Sequence, residues 1–237
     1  MLDNVSAQIP VANVTAILGQ NGAGKSTLLK CLTGAMQFQV GSISINNQSI
    51  HAYSLAALSK TRAVLSQSTA IDFPFTAFDI VKMGRHPYSN NTSSGLDDEI
   101  AMRALQSLDC LALTHRVFPT LSGGEQQRVQ LARVIAQLWD TKNTYLFLDE
   151  PTSALDLKHQ HQVLSLMCKL AICNNIGVCM VIHDLNLALR YADQVLLMKA
   201  GKLAAAGKTQ EVLTSNNIER VFDISLDAIL FNKRLFH

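Results

Sequence analysis

The sequence predicts an α/β fold in which a mixed, largely parallel sheet carries an inserted helical subdomain. Short apolar runs of strand length alternate with longer stretches of helical periodicity, a pattern typical of a parallel sheet covered on both faces. From about residue 73 to residue 140 the pattern is mainly helical, with a polar loop at 86–95. Because 237 residues with 48% hydrophobic content can bury one sizeable core, we expect a single domain over 1–237, with the helical subdomain at about 73–140.

The first half of the predicted sheet comes from three segments. Residues 14–18 form a β-branched apolar run that ends at a glycine, which is typical of a buried strand. Residues 25–33, after a glycine-rich turn, are expected to be helical. Residues 41–50 alternate apolar and polar side chains, which predicts a strand with one solvated face. Residues 62–66 are a further strand candidate.

From residue 122 onward, strands and helices alternate again. A helix is predicted at 122–139, because Val129, Ala132, Ala136 and Trp139 have the spacing of one buried helical face. An acidic cap, Asp184, opens a helix predicted at 184–192. The other predicted elements are a strand at 145–148, a helix at 157–173, a strand at 177–182 and a hairpin at 194–206 that turns at Ala200 and Gly201.

Composition and charge argue against several classes of protein. The formal net charge is +2 and the Lys and Arg residues are scattered, so no nucleic-acid partner is expected. No run reaches the roughly 18–20 apolar residues of a membrane span, and no secretion signal is present at the N-terminus. Five cysteines form no CxxC pair or metal-ligand cluster, and their apolar surroundings predict buried free thiols in a reducing compartment.

A glycine-rich segment between the first strand and the first helix predicts a phosphate-binding loop. Its members match the pattern G-x-x-x-x-G-K-[ST], and the strand and helix around it are the context that supports such a match. Backbone N–H groups and the helix N-terminus would face an anion, Lys25 would contact the outer phosphates and Ser26 would ligate Mg²⁺. An ordinary tight turn would need neither Lys25 nor Ser26. The predicted nucleotide-binding residues are Gly19, Gln20, Asn21, Gly22, Ala23, Gly24, Lys25, Ser26 and Thr27.

Two adjacent acids follow the strand at 145–148. Neighbouring strand residues point to opposite faces, so Asp149 and Glu150 can share one site only where the strand leaves the sheet, and Pro151 marks that exit. We expect Asp149 to hold Mg²⁺, directly or through a water. We expect Glu150 to orient and polarise the water that attacks the phosphate.

Two further polar residues lie at predicted strand ends. His183 follows the strand at 177–182, and although a lone histidine is more often a core residue, ligands of open α/β folds bind at this edge. It could therefore hydrogen-bond the γ-phosphate. Gln67 ends the strand at 62–66 and could contact the same phosphate or the Mg²⁺ ion.

A second anion site is predicted at the start of the helix at 122–139. Ser122 and Glu125 are explained by a capping box, but Gly123 and Gly124 lower helix propensity by about 1 kcal/mol each in a helix interior. Removing both side chains would let another molecule approach the helix N-terminus. We therefore expect a head-to-tail homodimer, in which Ser122, Gly123 and Gly124 of one copy close on the ATP of the other.

Taken together, these motifs resemble those of the nucleotide-binding subunits of ATP-binding-cassette (ABC) transporters over almost the whole chain. The matching segments, in order, are GQNGAGKST, Gln67, LSGGEQQR, YLFLDEPTSALD and His183. The resemblance implies a P-loop NTPase core, ATP and Mg²⁺ as ligands, and ATP hydrolysis coupled to transport. It also implies that 153–156 communicates between two ATP sites and that the helical subdomain receives a transmembrane permease dimer.

Some segments resemble more narrowly the ATP-binding subunits of importers of haem, iron siderophores and vitamin B12. The main ones are IVKMGRHPY and LDEPTSALDLKHQHQVL. Haem import across the inner membrane is the expected function, with siderophore and B12 import as alternatives. A periplasmic binding protein and a peripheral position on the cytoplasmic membrane face are implied. His159 and His161 are expected to be ordinary helix-surface residues, because side chains two apart on a helix diverge by roughly 200°.

The sequence departs from the family at its start. No Phe, Tyr or Trp precedes Gly19, although members usually stack an aromatic residue on adenine there. Either the true start lies upstream or adenine is held less tightly, and of the two we expect a truncated or misassigned start. Two other classes stay open at this point: a cassette ATPase that acts on DNA or ribosomes, and a binding or structural protein. The first usually carries two cassettes or a long coiled coil, and the second has no need of Lys25 or Glu150.

Overall fold

The computed structural model describes residues 2–66, 71–89 and 93–225. Its strands are β1 (Val14–Gly19), β2 (Ser44–Ile45), β3 (Gln48–Ser49), β4 (Arg62–Leu65), β5 (Tyr145–Asp149), β6 (Gly177–Val181), β7 (Gln194–Lys199) and β8 (Lys202–Lys208). Six of them form one sheet in the order β4-β5-β6-β1-β7-β8. The first five strands in this spatial order, β4 to β7, run parallel to one another, and β8 runs antiparallel to β7. This is the predicted α/β class with a mixed, largely parallel sheet.

The helices cover both faces of this sheet. They are α1 (Lys25–Leu32), α2 (Leu55–Thr61), α3 (Ala77–Met83), α4 (Ser94–Ser107), α5 (Gly123–Gln137), α6 (Leu157–Asn174), α7 (Leu185–Tyr191), α8 (Thr209–Val212) and α9 (Ser215–Phe222). Short 3₁₀ turns lie at Ile50–Ala52, His86–Tyr88, Leu111–Leu113 and Phe118–Thr120. Among the described residues, no helix has both the length and the apolar character that crossing a membrane requires.

Strand β1 shows why both faces need cover. All six of its residues are buried, because apolar side chains point alternately to the two sides of the sheet. Ala16 and Leu18 join the large core on one face, whereas Ile17 joins a smaller core against α1 on the other. The carboxyl end of β1 therefore delivers Gly19 directly to the start of the first helix.

Helices α3, α4 and α5 pack through residues such as Ile80, Ala104 and Ala132, which are all fully buried in the large core. A buried ion pair ties two parts of this region together, with Arg85 Nε 2.9 Å from Asp97 Oδ1. The same guanidinium donates to the Ala136 carbonyl at 2.9 Å. The boundary of the helical subdomain at about 73–140 stays a prediction.

Several local expectations need correction. The single strand predicted at 41–50 is wrong, because β2 and β3 form a two-stranded hairpin whose turn places Asn46 and Asn47 at φ of 50° and 64°. Asparagine adopts this left-handed region more readily than most residues, so two consecutive asparagines favour the turn. The cysteines are free thiols, but Cys173 is exposed and Cys168 half-buried, whereas Cys31, Cys110 and Cys179 are buried as expected.

Candidate functional site

The loop between β1 and α1 has the geometry of an anion cradle. Gly24, at the N-terminus of α1, has φ of 99°, a left-handed value that favours glycine. At Gly19, φ is 150° and an added Cβ would lie 2.3 Å from the Met198 carbonyl oxygen, so any side chain would clash with β7. The loop can thus curl close to the sheet edge and turn its N–H groups toward one space. Of the other predicted loop residues, Asn21 and Gly22 are exposed, Ala23 is buried and Thr27 is half-buried.

Lys25 lies inside this loop. Its Nζ donates hydrogen bonds to the Gly19 carbonyl at 2.9 Å and the Gln20 carbonyl at 3.0 Å. Burial lowers the pKa of Lys25, while the carboxylates of Glu150 and Asp149 act in the opposite direction. The ammonium is therefore held at the loop's centre by backbone oxygens, where an incoming phosphate would supply a stronger partner.

Ser26 and Asp149 form an oxygen pair beside the loop. The Ser26 hydroxyl donates to Asp149 Oδ1 at 3.2 Å. Burial raises the pKa of Asp149, which is only 4% exposed, and the Ser26 hydrogen bond partly offsets this rise. A hydroxyl and a carboxylate are ligands that Mg²⁺ uses when it keeps several waters, so this donor set fits the ion that the sequence implies.

Glu150 occupies the point where β5 leaves the sheet. Its φ is 53°, in the left-handed region that a residue with a long side chain seldom adopts. The conformation turns the Glu150 carboxylate toward β6, where Oε1 lies 2.6 Å from Nε2 of His183. The structure therefore brings together Lys25, Ser26, Asp149, Glu150 and His183 at the carboxyl edge of adjacent parallel strands.

Sequence reasoning missed the groups that hold Glu150. Its carbonyl accepts from the Ser153 hydroxyl at 3.1 Å, the Ser153 N–H at 3.3 Å and Nε2 of Gln127 at 3.3 Å. Gln127 lies on α5, one turn after the glycine pair. Because several donors share this carbonyl, the unusual backbone is fixed by its surroundings. No periodicity in the sequence points to Gln127. Its position directly after SGGEQ, in the segment that resembles the ABC family, could have identified it as a site residue.

The start of α5 is a complete capping box. The Ser122 hydroxyl accepts from the Glu125 N–H at 3.4 Å, and Glu125 Oε2 accepts from the Ser122 N–H at 2.8 Å. The Ser122 N–H and the Ser122 hydroxyl, which donates to Glu125 Oε2 at 2.8 Å, both stabilise the carboxylate and lower the pKa of Glu125, with Arg116 contributing less. Ser122 and Gly123 are exposed.

The two glycines of this cap differ. An added Cβ at Gly124 would lie 2.9 Å from the Ala154 carbonyl, whereas one at Gly123 would meet nothing within 4 Å. The missing side chain at Gly124 thus has a cause inside the chain, which corrects the expectation that both glycines serve another molecule. Gly123 alone still lacks an internal explanation.

Two further residues of the predicted site are Gln67 and Gln20. Gln67 lies outside the described residues. Gln20 donates from Nε2 to Asp223 Oδ2 at 3.2 Å, so the phosphate loop contacts the end of α9, and Asp223 also accepts from Lys199. Sequence reasoning did not foresee this contact, because it joins residues 203 positions apart with no motif at the second.

Comparisons with known proteins agree with this geometry. The ABC transporter family profile matches residues 2–153. The hemin import ATP-binding protein HmuV of Escherichia coli O157:H7 is 43% identical over 231 residues, covering 97% of this chain and 89% of the relative. The protein of the same name from Hahella chejuensis (strain KCTC 2396) is 43% identical over 228 residues, with 94% and 87% coverage.

Solved structures give the same answer. An inward-facing ABC transporter assigned to the metal-chelate type aligns with a TM-score of 0.76 and 34% identity over 91% of this chain and 79% of that one. The dimeric cassette MJ0796, in a post-hydrolysis state with ADP and Pi, aligns with a TM-score of 0.77 and 26% identity, covering 88% and 90%. With its phosphate loop, its acidic strand end and relatives that match along nearly its whole length, the chain belongs to the ABC transporter family as an ATP-hydrolysing subunit.

Proposed function

We propose that the chain energises haem import by hydrolysing ATP at the cluster of Lys25, Ser26, Asp149, Glu150 and His183. The observation that carries the proposal is the convergence of these residues at one sheet edge in a chain 43% identical to two hemin import ATP-binding proteins. Siderophore or vitamin B12 import is the alternative, because no residue of the cluster is expected to contact the cargo.

The phosphate loop would bind the nucleotide. Backbone N–H groups of 20–25 and the positive end of α1 would surround the β- and γ-phosphates. On binding, Lys25 Nζ would exchange its two backbone carbonyls for phosphate oxygens, which form stronger charge-assisted hydrogen bonds. Ser26 and Asp149 would hold Mg²⁺, which would neutralise negative charge that develops on the phosphates during hydrolysis.

Glu150 and His183 would manage the attacking water. The 2.6 Å contact between Glu150 Oε1 and His183 Nε2 places an acceptor and an imidazole on the same side of the site. Glu150 would accept the water proton as general base, and His183 would contact the γ-phosphate and hold the carboxylate in place. Gln67 would approach the same phosphate from the start of the helical subdomain.

A homodimer would complete each site. Exposed Ser122 and Gly123 offer a helix N-terminus with no use inside the monomer, and one structural relative is a dimeric cassette. In the proposed dimer this end closes on the partner's ATP, and 153–156 contacts the opposite site. The dimer would bind a transmembrane permease dimer on the cytoplasmic face of the inner membrane. A periplasmic binding protein would deliver the cargo.

Reconstitution tests this function. The chain would be co-expressed with a candidate permease from the same genome and placed in liposomes with Mg-ATP. We expect ATP-dependent uptake of haemin that Glu150→Gln abolishes, with little uptake of ferric siderophore or vitamin B12. Uptake of a siderophore or B12 instead of haemin would assign the alternative cargo. Failure of the chain to co-purify with any membrane permease would argue for a cassette ATPase outside transport.

A further inference from the structure

A cavity with a strongly basic lining lies away from the hydrolytic cluster. It has a volume of about 690 Å³, and it is lined by the C-terminal end of α4 and the two residues after it, by Arg128 of α5, by one face of α6 and by the C-terminal end of α7. Three of the lining residues have basic side chains on three different helices, namely Arg128, Lys169 and Arg190. Asp109 is the single acidic residue of the lining. A cavity of this size can hold a small molecule, and its charge favours an anion.

Two imidazoles of the lining are oriented by neighbouring groups. Nδ1 of His161 lies 2.6 Å from the Tyr191 hydroxyl, and Nδ1 of His159 lies 2.8 Å from Asp156 Oδ1. Within the described part of the chain, Nε2 of each ring has no protein hydrogen-bond partner. Each Nε2 is therefore available to a ligand. The expectation that His159 and His161 are ordinary surface residues that diverge from one another is thus incomplete, since both line this one cavity.

Arg128 is also held in place before any ligand arrives. Its Nη1 donates to the Leu108 carbonyl at 3.1 Å and to the Asp109 carbonyl at 2.9 Å. A guanidinium fixed by backbone carbonyls loses little side-chain entropy when a ligand binds its remaining N–H groups. The Arg190 guanidinium lies 5.6 Å from the centre of the Tyr191 ring, which orients a second cation of the lining.

We propose that this cavity binds a small molecule carrying at least two carboxylate or phosphate groups. Arg128, Lys169 and Arg190 bind the anionic groups, and His161 with Tyr191 supplies a further polar contact. Of the three helices that carry these cations, α7 follows the loop of His183 and is capped by Asp184, α5 follows the loop that ends at Ser122, and α6 follows the loop that ends at Asp156. A bound ligand therefore contacts the three helices that position those loops.

Two sources share this chemistry. A soluble phosphate metabolite offers the anionic groups alone. Haem offers two propionates together with an iron that imidazole or phenolate can ligate. Only the choice of haemin as a probe rests on the proposed function, so a failure of haem transport would leave the anion site itself standing.

Calorimetric titration with inorganic pyrophosphate tests the anion site. The Lys25→Ala protein, without nucleotide, is used so that the phosphate loop does not compete for the probe. We expect saturable binding of one pyrophosphate per chain. Adding Lys169→Glu and Arg190→Glu should raise its Kd by about tenfold or more, because two attractive charges become repulsive. Both side chains are exposed, so circular dichroism should show an unchanged fold.

The control is Lys158→Glu, a single charge reversal of the same kind on an exposed residue of α6 outside the cavity. It should leave the Kd unchanged. A parallel titration of the natural chain with haemin, followed by its Soret band, identifies the source. A saturable shift that is lost in His161→Ala assigns haem, whereas pyrophosphate binding alone assigns a soluble metabolite. The proposal is overturned if neither probe binds, or if both bind the charge-reversed and control variants equally.

Discussion

The phosphate loop and the glycine-rich cap of α5 are both helix N-termini suited to anions, yet they differ in what surrounds them. Around the phosphate loop, the chain supplies its own lysine, hydroxyl, acids and histidine, with Lys25 buried among backbone carbonyls. Around the cap of α5, the described residues supply a capping box and an ion pair from Arg116 to Glu125, with Gly123 open to solvent. The first region can act within one chain, whereas the second needs another molecule to gain a function.

The largest effect is expected from Glu150→Gln. The amide keeps the size of the side chain and a contact to His183 but cannot accept a proton, so the ATPase rate should fall by about 10²- to 10⁴-fold while ATP still binds. Light scattering with saturating Mg-ATP should then show a dimer. Glu99→Gln, an exposed change on α4, is the control and should behave like the natural protein. A variant that stays monomeric under these conditions would break the comparison, since the cap of α5 would have no partner.

Lys25→Ala should be next in size. It removes the buried charge that faces the phosphates, and a loss of roughly 2–5 kcal/mol corresponds to a Kd for ATP that rises about 30- to 5000-fold. Equilibrium binding of a fluorescent ATP analogue measures the change. Lys30→Ala, exposed on the same helix, is the control and should shift the Kd little. Unchanged affinity in Lys25→Ala would remove the phosphate loop from its proposed role.

The glycine pair tests the second region directly. In Gly124→Ala the new methyl meets the Ala154 carbonyl at 2.9 Å, so we expect about 1–3 kcal/mol of destabilisation and a lower Tm. In Gly123→Ala the methyl meets nothing, so the Tm should hold, while ATPase activity falls because the partner's nucleotide can no longer approach. Calorimetry together with ATPase assays separates the two. Full activity in Gly123→Ala would mean that no molecule closes on this helix end.

The smallest effect concerns the capping box and pH. Hydrogen bonds from Ser122 lower the pKa of Glu125 in the folded chain, so its contribution to stability is present above the ordinary carboxyl pKa. That contribution is lost as pH falls through the lowered pKa. Because the site is partly solvated, it should amount to no more than about 1 kcal/mol. Glu125→Gln should flatten the pH dependence of Tm below about pH 4.5 and leave Tm near its acidic value at neutral pH. An identical pH profile in both proteins would contradict this reading.

The sequence predicted well those parts of the molecule that depend on local pattern. Strands β1 and β5 are largely apolar apart from Thr15 and Asp149, and the phosphate loop needs a fixed order of glycines before Lys25, so both could be predicted directly. The hairpin of β2 and β3 was missed because its strands have two residues each, too short for an alternation to distinguish. Helices α2, α8 and α9 were missed because they are short and depend on packing against the sheet.

What could not be predicted depends on contacts between distant residues. The sequence places Gly124 beside a helix cap but gives no sign that the Ala154 carbonyl approaches it. It predicts that Glu150 and His183 share a sheet edge but not that they touch. The link from Gln20 to Asp223 depends on where α9 ends, which only the folded chain sets. Such contacts are fixed by topology and side-chain geometry, neither of which leaves a periodic signal.

The left-handed backbone of Glu150 has a consequence for laboratory evolution. Glycine adopts that conformation without the steric penalty that a glutamate side chain meets, a difference of about 1 kcal/mol or more. A library selected for heat resistance alone should therefore enrich Glu150→Gly, a chain that survives longer at high temperature and hydrolyses almost nothing. A selection for a stable and active subunit would have to measure ATPase turnover in the same round, because at position 150 the residue that favours thermal stability removes the catalytic carboxylate.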